Sequence, residues 1–110
     1  MAYDEETAWR IRDLLVDEPN ITETKMFGGL AFLVGGNMAV AASREGGVLV
    51  RVDPAKSEKV IATTTAQPMV MRGREMMGWL RVGADAIGTK RQLAKWVTMG
   101  TNYARTLPAK

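Results

Sequence analysis

Apolar residues concentrate in three runs in the middle of the chain, and paired glycines separate these runs. The runs lie at 26–34, 37–40 and 48–52, and they are rich in residues that favour β-structure. The glycine pairs at 35–36 and 46–47 can supply the positive φ angles of hairpin turns. We therefore predict an antiparallel meander of three strands in this part of the chain.

The pattern within the runs predicts which faces are buried. Residues 30–34 are apolar throughout, which is typical of a central strand packed on both faces. In the third run, alternate positions from Val48 to Val52 form one apolar face. Gly28 and Gly29 interrupt the first run, and paired glycines inside a strand indicate a bulge or a close backbone approach.

Three other segments have helical features. Apolar residues recur at helical spacing from Ala8 to Leu15, Asp53-Pro54 opens a short second helix, and Thr89 caps a longer last helix. Trp9 lies off the apolar stripe of the first helix, so it either packs at the edge of the core or faces a partner, and we expect the edge of the core. Gly100 inside the last helix costs about 1 kcal/mol relative to alanine, which indicates close packing against a neighbouring element.

Residues 69–82 predict a second hairpin in which four methionines crowd together: Met69, Met71, Met76 and Met77. Methionine fills cores and also forms adaptable binding surfaces, so both interpretations stay open. Strand alternation places Met77, Trp79 and Arg81 on the face opposite Leu80. We expect a second copy to cover these large groups, which predicts an interaction surface and a homodimer.

The predicted order of elements is α-β(3)-α-β(2)-α, an α+β fold with one antiparallel sheet and helices packed on it. The length of 110 residues predicts a single domain over 1–110. The chain has no histidine and no cysteine, so it lacks the commonest general base, the commonest metal ligand and any thiolate. We therefore expect no catalytic residues, no metal site and no cofactor, and hence a protein that is not an enzyme.

The start of the chain is acidic, unlike a secretory signal, and no apolar run approaches the roughly 20 residues of a membrane span. We expect a cytoplasmic location and no contact with membranes.

Charge is distributed unevenly along the chain. The net charge is −4 over residues 1–50 and +7 over residues 51–110. Such a basic half can bind nucleic acid or another anion weakly and without sequence preference. The alternative is a solvated basic surface whose field is cancelled by an acidic first helix lying beside the last one. The candidate contacts are Arg72, Arg74, Lys90, Arg91 and Lys95.

The motif Met26-Phe27-Gly28-Gly29 resembles the signature of the TfoX/Sxy N-terminal domain family. The resemblance continues through residues 47–53, 68–69 and 78–82 and into the last helix, and so covers nearly the whole chain. It implies a fold shared with secretion chaperones and a structural role for the motif. It also implies kinship with bacterial competence regulators, which act at promoters together with a cyclic-AMP receptor protein. We expect a stand-alone first domain without the helical second domain.

These observations predict a non-enzymatic regulatory or protein-interaction domain that forms a homodimer, with no catalytic residues to carry over from the family. The alternative is a nucleic-acid-associated accessory protein that uses the basic second half. The third hypothesis is an enzyme, because the absence of a known motif argues only weakly against catalytic activity.

Overall fold

The computed structural model describes residues 4–26, 28–44 and 46–109. Three helices lie at Glu5–Leu14 (α1), Ser57–Thr63 (α2) and Lys90–Arg105 (α3). Short 3-10 turns precede α2 at Pro54–Lys56 and α3 at Ala84–Ala86. The six strands are β1 (Ile21–Met26), β2 (Gly29–Val34), β3 (Asn37–Ala42), β4 (Val48–Arg51), β5 (Gln67–Met71) and β6 (Arg74–Val82).

All six strands join one antiparallel sheet in the order β1-β2-β3-β4-β6-β5. This confirms the α+β class with helices on a single antiparallel sheet. The observed order is α-β(4)-α-β(2)-α, one strand more than the sequence predicts.

The additional strand is β1, at one edge of the sheet. Its sequence, ITETKM, is apolar only at its two ends, and its four middle residues are exposed. A strand with exposed middle residues lacks the apolar alternation by which strands are predicted. The sequence pattern therefore assigns Met26 to the run at 26–34 and predicts no strand before it. β1 and β2 form a hairpin in which Met26 faces Gly29.

The glycine pair of the motif closes this hairpin. Gly28 has a φ of +75° and forms the turn, while Gly29 begins β2 against β3. A Cβ built on Gly29 would lie only 2.1 Å from the carbonyl oxygen of Ala42. The predicted close approach of the backbone is therefore confirmed at Gly29. Phe27 lies outside the described residues.

The main core lies between the helices and one face of the sheet. Phe32, Val40, Val50 and Leu80 are fully buried there. α3 contributes the buried residues Leu93, Trp96, Val97 and Ala104. A capping box starts this helix. The backbone amide of Gln92 donates to Thr89 Oγ1, and the backbone amide of Thr89 donates to the Gln92 side-chain oxygen.

α1 buries Ala8 and Ile11 in the same core, as predicted, and Leu15, the residue that follows the helix, is buried there too. Trp9 does not pack at the core edge, since 65% of its surface is exposed. One alternative predicted from the sequence is an acidic first helix that lies beside the last one, and α1 does contact α3. Arg10 strengthens this contact by donating to the carbonyl oxygen of Ile87 at 2.6 Å, just before α3.

Among the residues that the structure describes, two ion pairs join separate parts of the fold near α1. Arg12 donates to both carboxylate oxygens of Glu23 in β1 at 2.7 Å, and Arg105 at the end of α3 binds Glu18. Hydrogen bonds from these guanidinium groups lower the pKa values of both carboxyl groups below the usual 4.5, against a smaller opposing effect of desolvation.

Acid should therefore weaken the fold through Glu18 and Glu23. A carboxyl group whose pKa is lowered by folding stabilises the protein above its unfolded pKa, and the contribution is lost as pH falls through the folded pKa. One partner of each pair is well exposed, Arg12 at 37% and Arg105 at 48%, although the Glu18 side chain is only 9% exposed, so we expect each pair to contribute at most about 1 kcal/mol. Urea unfolding between about pH 5 and 3 should show a flatter pH dependence in Glu18→Gln/Glu23→Gln than in the wild type. The matched variant Glu58→Gln/Glu75→Gln should keep the wild-type slope, and equal slopes in all three proteins would contradict the assignment.

Candidate functional site

A second apolar cluster lies on the opposite face of the sheet, and every member belongs to a strand. Its buried centre is formed by Ala31, Met38, Ala41, Leu49 and Met69, and its half-buried rim by Met26, Leu33, Met71, Met76 and Trp79. We call this surface the methionine face. It exists because the strands in the middle of the sheet are apolar at consecutive positions, so alternation sends side chains to both sides.

Small residues at the centre explain the burial of this cluster. Ala31 and Ala41 are direct partners across β2 and β3, and their exposed fractions are 0% and 2%. Long unbranched side chains can fold over such a pair, and methionine does this readily because it has three rotatable bonds. The centre is thus covered by its own rim, while the rim remains partly open to solvent.

Trp79 is the largest side chain of the rim. Its cross-strand partner is Arg51, whose guanidinium carbon lies 5.0 Å from the centre of the indole. The same guanidinium lies 5.7 Å from the ring of Tyr103 on α3. Arg51 thus makes cation–π contacts with both rings, and its contact with Trp79 holds the indole at one end of the methionine face.

The sequence predicts that Met77 lies beside Trp79 on this face, but in the structure Met76 lies there instead. Gly78 has a φ of +85°, and the register shifts so that Met76 faces Met69 while Leu80 faces Pro68. Strict alternation therefore fails between residues 76 and 80. Met76 joins the cluster, and Met77 lies outside it with 52% of its surface exposed.

The irregularity is fixed by contacts distant in sequence. The Val52 amide donates to the carbonyl oxygen of Gly78 at 2.7 Å, and the Gly78 amide donates to the buried Ser57 Oγ at 3.4 Å. A Cβ on Gly78 would lie 2.9 Å from the Val52 carbonyl oxygen. A glycine within the predicted strand was the only local signal of this feature.

Arg81, the third residue predicted for this surface, faces Leu49 of the cluster across β4 and β6. It also lines a polar cleft of about 400 Å³ at the end of the sheet, together with Thr65, Gln67 and Asp85. Arg81 therefore stands at the boundary between the methionine face and this cleft.

The structure separates the five candidate basic residues into two groups. Arg72 and Arg74 lie at the turn that starts β6, whereas Lys90, Arg91 and Lys95 occupy the first turns of α3, beyond the other end of that strand. Nine strand residues span roughly 25–30 Å, so the two groups do not form one patch. Lys90 also lines a shallow pocket that includes the acidic Asp13 of α1.

Within the described ranges, no helix is long and apolar enough to cross a membrane. The same ranges contain no group of three acidic side chains placed to hold a metal ion.

The fold and this surface define a small α+β domain with helices on one face of an antiparallel sheet and an apolar cluster on the other. A family comparison matches the TfoX N-terminal domain over residues 13–104, and the chain belongs to that family. No curated protein and no solved structure matched the chain. Within the family motif, Met26 ends β1, Gly28 forms the turn and Gly29 begins β2, so the described residues of the motif shape the first hairpin.

Proposed function

We propose that this TfoX N-terminal domain is a non-enzymatic regulatory and protein-interaction domain that forms a homodimer through its methionine face. The observation that carries the proposal is the rim of this face, where Leu33, Met76 and Trp79 are only half-buried beside a buried apolar centre. Packing a second surface over such a rim removes apolar area from water, which is the main driving force for association.

Charge distribution favours a second copy as the occupant. Arg74 and Arg81 lie on the methionine face, because their cross-strand partners Met71 and Leu49 belong to the cluster. Both arginines belong to β6 and therefore lie near the β5–β6 edge of the sheet. β1 at the far edge presents Thr22 to the same face. A twofold packing that lays the β5–β6 edge of one copy on β1 of the other separates the arginines of the two copies.

Sedimentation at tens of micromolar concentration, on the order usual for such assays, tests the homodimer. We expect the wild type to be a dimer whose association changes little with salt. Leu33→Asp and Met76→Asp should weaken association by at least about 100-fold, since each would bury a carboxylate in an apolar interface.

Met77→Asp is the matched control, because Met77 is exposed and lies outside the cluster. It should leave the dimer intact, and circular dichroism should show that all three variants stay folded. A strictly monomeric wild type, or equal weakening by Met77→Asp and Met76→Asp, would overturn the proposal.

A further inference from the structure

The outer side of α1 carries an exposed tryptophan that the methionine face does not involve. Trp9 is 65% exposed, and Val16, seven residues further on, is 76% exposed. Val16 lies in the turn that directly follows α1, and its amide donates to the carbonyl oxygen of Asp13 at 3.5 Å. We call these two exposed side chains, one on α1 and one just beyond its end, the Trp9–Val16 stripe; α1 packs against the other side of the sheet.

Trp9 is held in place although it faces solvent. The guanidinium carbon of Arg12 lies 4.8 Å from the centre of the indole, and the same group donates two hydrogen bonds of 2.7 Å to Glu23 on β1. The ring therefore rests on a cation that is anchored to the sheet. An aromatic group fixed before binding loses less conformational freedom on contact with a partner, and tryptophan and arginine are enriched at the energetic centres of interfaces.

The surroundings of this stripe are acidic. Four exposed carboxylates flank it, those of Glu5, Glu6, Asp13 and Asp17. The two arginines of the helix are engaged elsewhere, since Arg12 binds Glu23 and Arg10 donates to the backbone of Ile87 and Thr89. The surface around Trp9 therefore attracts cationic partners and repels polyanions such as nucleic acid.

We propose that the Trp9–Val16 stripe docks a basic amphipathic helix of another protein. Trp9 and Val16 would contact apolar anchors that such a helix presents at i, i+3, i+4 and i+7, and lysine or arginine beside those anchors would meet the exposed carboxylates of the stripe. The proposal is independent of dimerisation, because the methionine face is formed by the strands on the far side of the sheet.

The test uses the full chain and a labelled synthetic helix of leucine and lysine, with fluorescence anisotropy as the readout. One comparison peptide carries glutamate in place of every lysine, and another has the same composition in scrambled order. We expect the leucine–lysine helix to bind in the micromolar range, and the other two peptides to bind at least about 10-fold more weakly.

Trp9→Ala should weaken binding of the leucine–lysine helix at least about 10-fold, and Asp13→Asn/Asp17→Asn should weaken it and reduce its salt dependence. Met77→Ala removes another exposed apolar side chain and should bind like the wild type. Because Trp9 lies at the surface, thermal unfolding should be nearly unchanged in Trp9→Ala. Wild-type affinity in Trp9→Ala, or equal binding of the scrambled peptide, would overturn the proposal.

Discussion

Replacing Gly100 by alanine should destabilise the domain by about 2–4 kcal/mol, although alanine is the better helix former. Gly100 lies within α3, where helix propensity alone would favour alanine by about 1 kcal/mol. The new Cβ would, however, lie 2.3 Å from the carbonyl oxygen of Ala39 and 2.9 Å from its carbon. Both atoms belong to the backbone of β3, so relief requires α3 to move away from the sheet.

Urea unfolding measures this effect, and Gly88→Ala provides the control. Gly88 precedes α3, and the nearest atom to its added Cβ would be the Gln92 Oε1 at 3.6 Å, an ordinary contact. We expect the control to stay within about 0.5 kcal/mol of the wild type. A Gly100→Ala protein that is more stable than the wild type would show that propensity outweighs the close approach of helix and sheet.

The two glycines of the family motif should respond differently to the same change. Gly29→Ala is expected to cost about 3 kcal/mol or more, because its Cβ would overlap the Ala42 carbonyl oxygen and push β2 away from β3. Gly28→Ala should cost only about 1 kcal/mol, which is the penalty for a positive φ in a residue with a side chain. The nearest atom there is the Arg44 Cδ at 3.2 Å, part of a flexible side chain.

Thermal and urea unfolding of both variants test this difference. Gly28→Asn should recover much of the loss seen in Gly28→Ala, since asparagine tolerates the left-handed region. Asparagine at position 29 should give no such recovery, because the obstacle there is space rather than φ. Equal losses for Gly28→Ala and Gly29→Ala would mean that the motif serves the turn alone.

Local features of this fold could be predicted from the sequence because neighbours in the chain determine them. The capping of α3 by Thr89 and the Asp53-Pro54 start of the turn before α2 depend on residues one to three positions away. The alternation of β4 and the buried stripe of α3 follow from the 2.0 and 3.6 residue periods. The family resemblance also came from the sequence, and the match to the TfoX N-terminal domain over residues 13–104 confirmed it.

Other features depend on groups far apart in the chain, and only the tertiary structure decided them. β1 is a strand because β2 offers it hydrogen-bond partners, not because its residues alternate. Met76 replaces Met77 on the methionine face because Val52 and Ser57 hold Gly78 in a left-handed conformation. Arg72 and Arg74 are separated from the basic start of α3 by the length of β6, a distance that net charge cannot reveal.

The two interaction surfaces also differ in how far the sequence could predict them. The sequence predicted apolar groups opposite Leu80, because alternation is a local property of a strand. The position of Trp9 off the apolar stripe left two alternatives, the core edge or an exposed position, and the sequence favoured the wrong one. The periodicity of α1 shows which residues are apolar but not how far the neighbouring elements extend over them. Burial at an edge is set by what the neighbouring elements cover, and that depends on how α1, β1 and α3 meet in three dimensions.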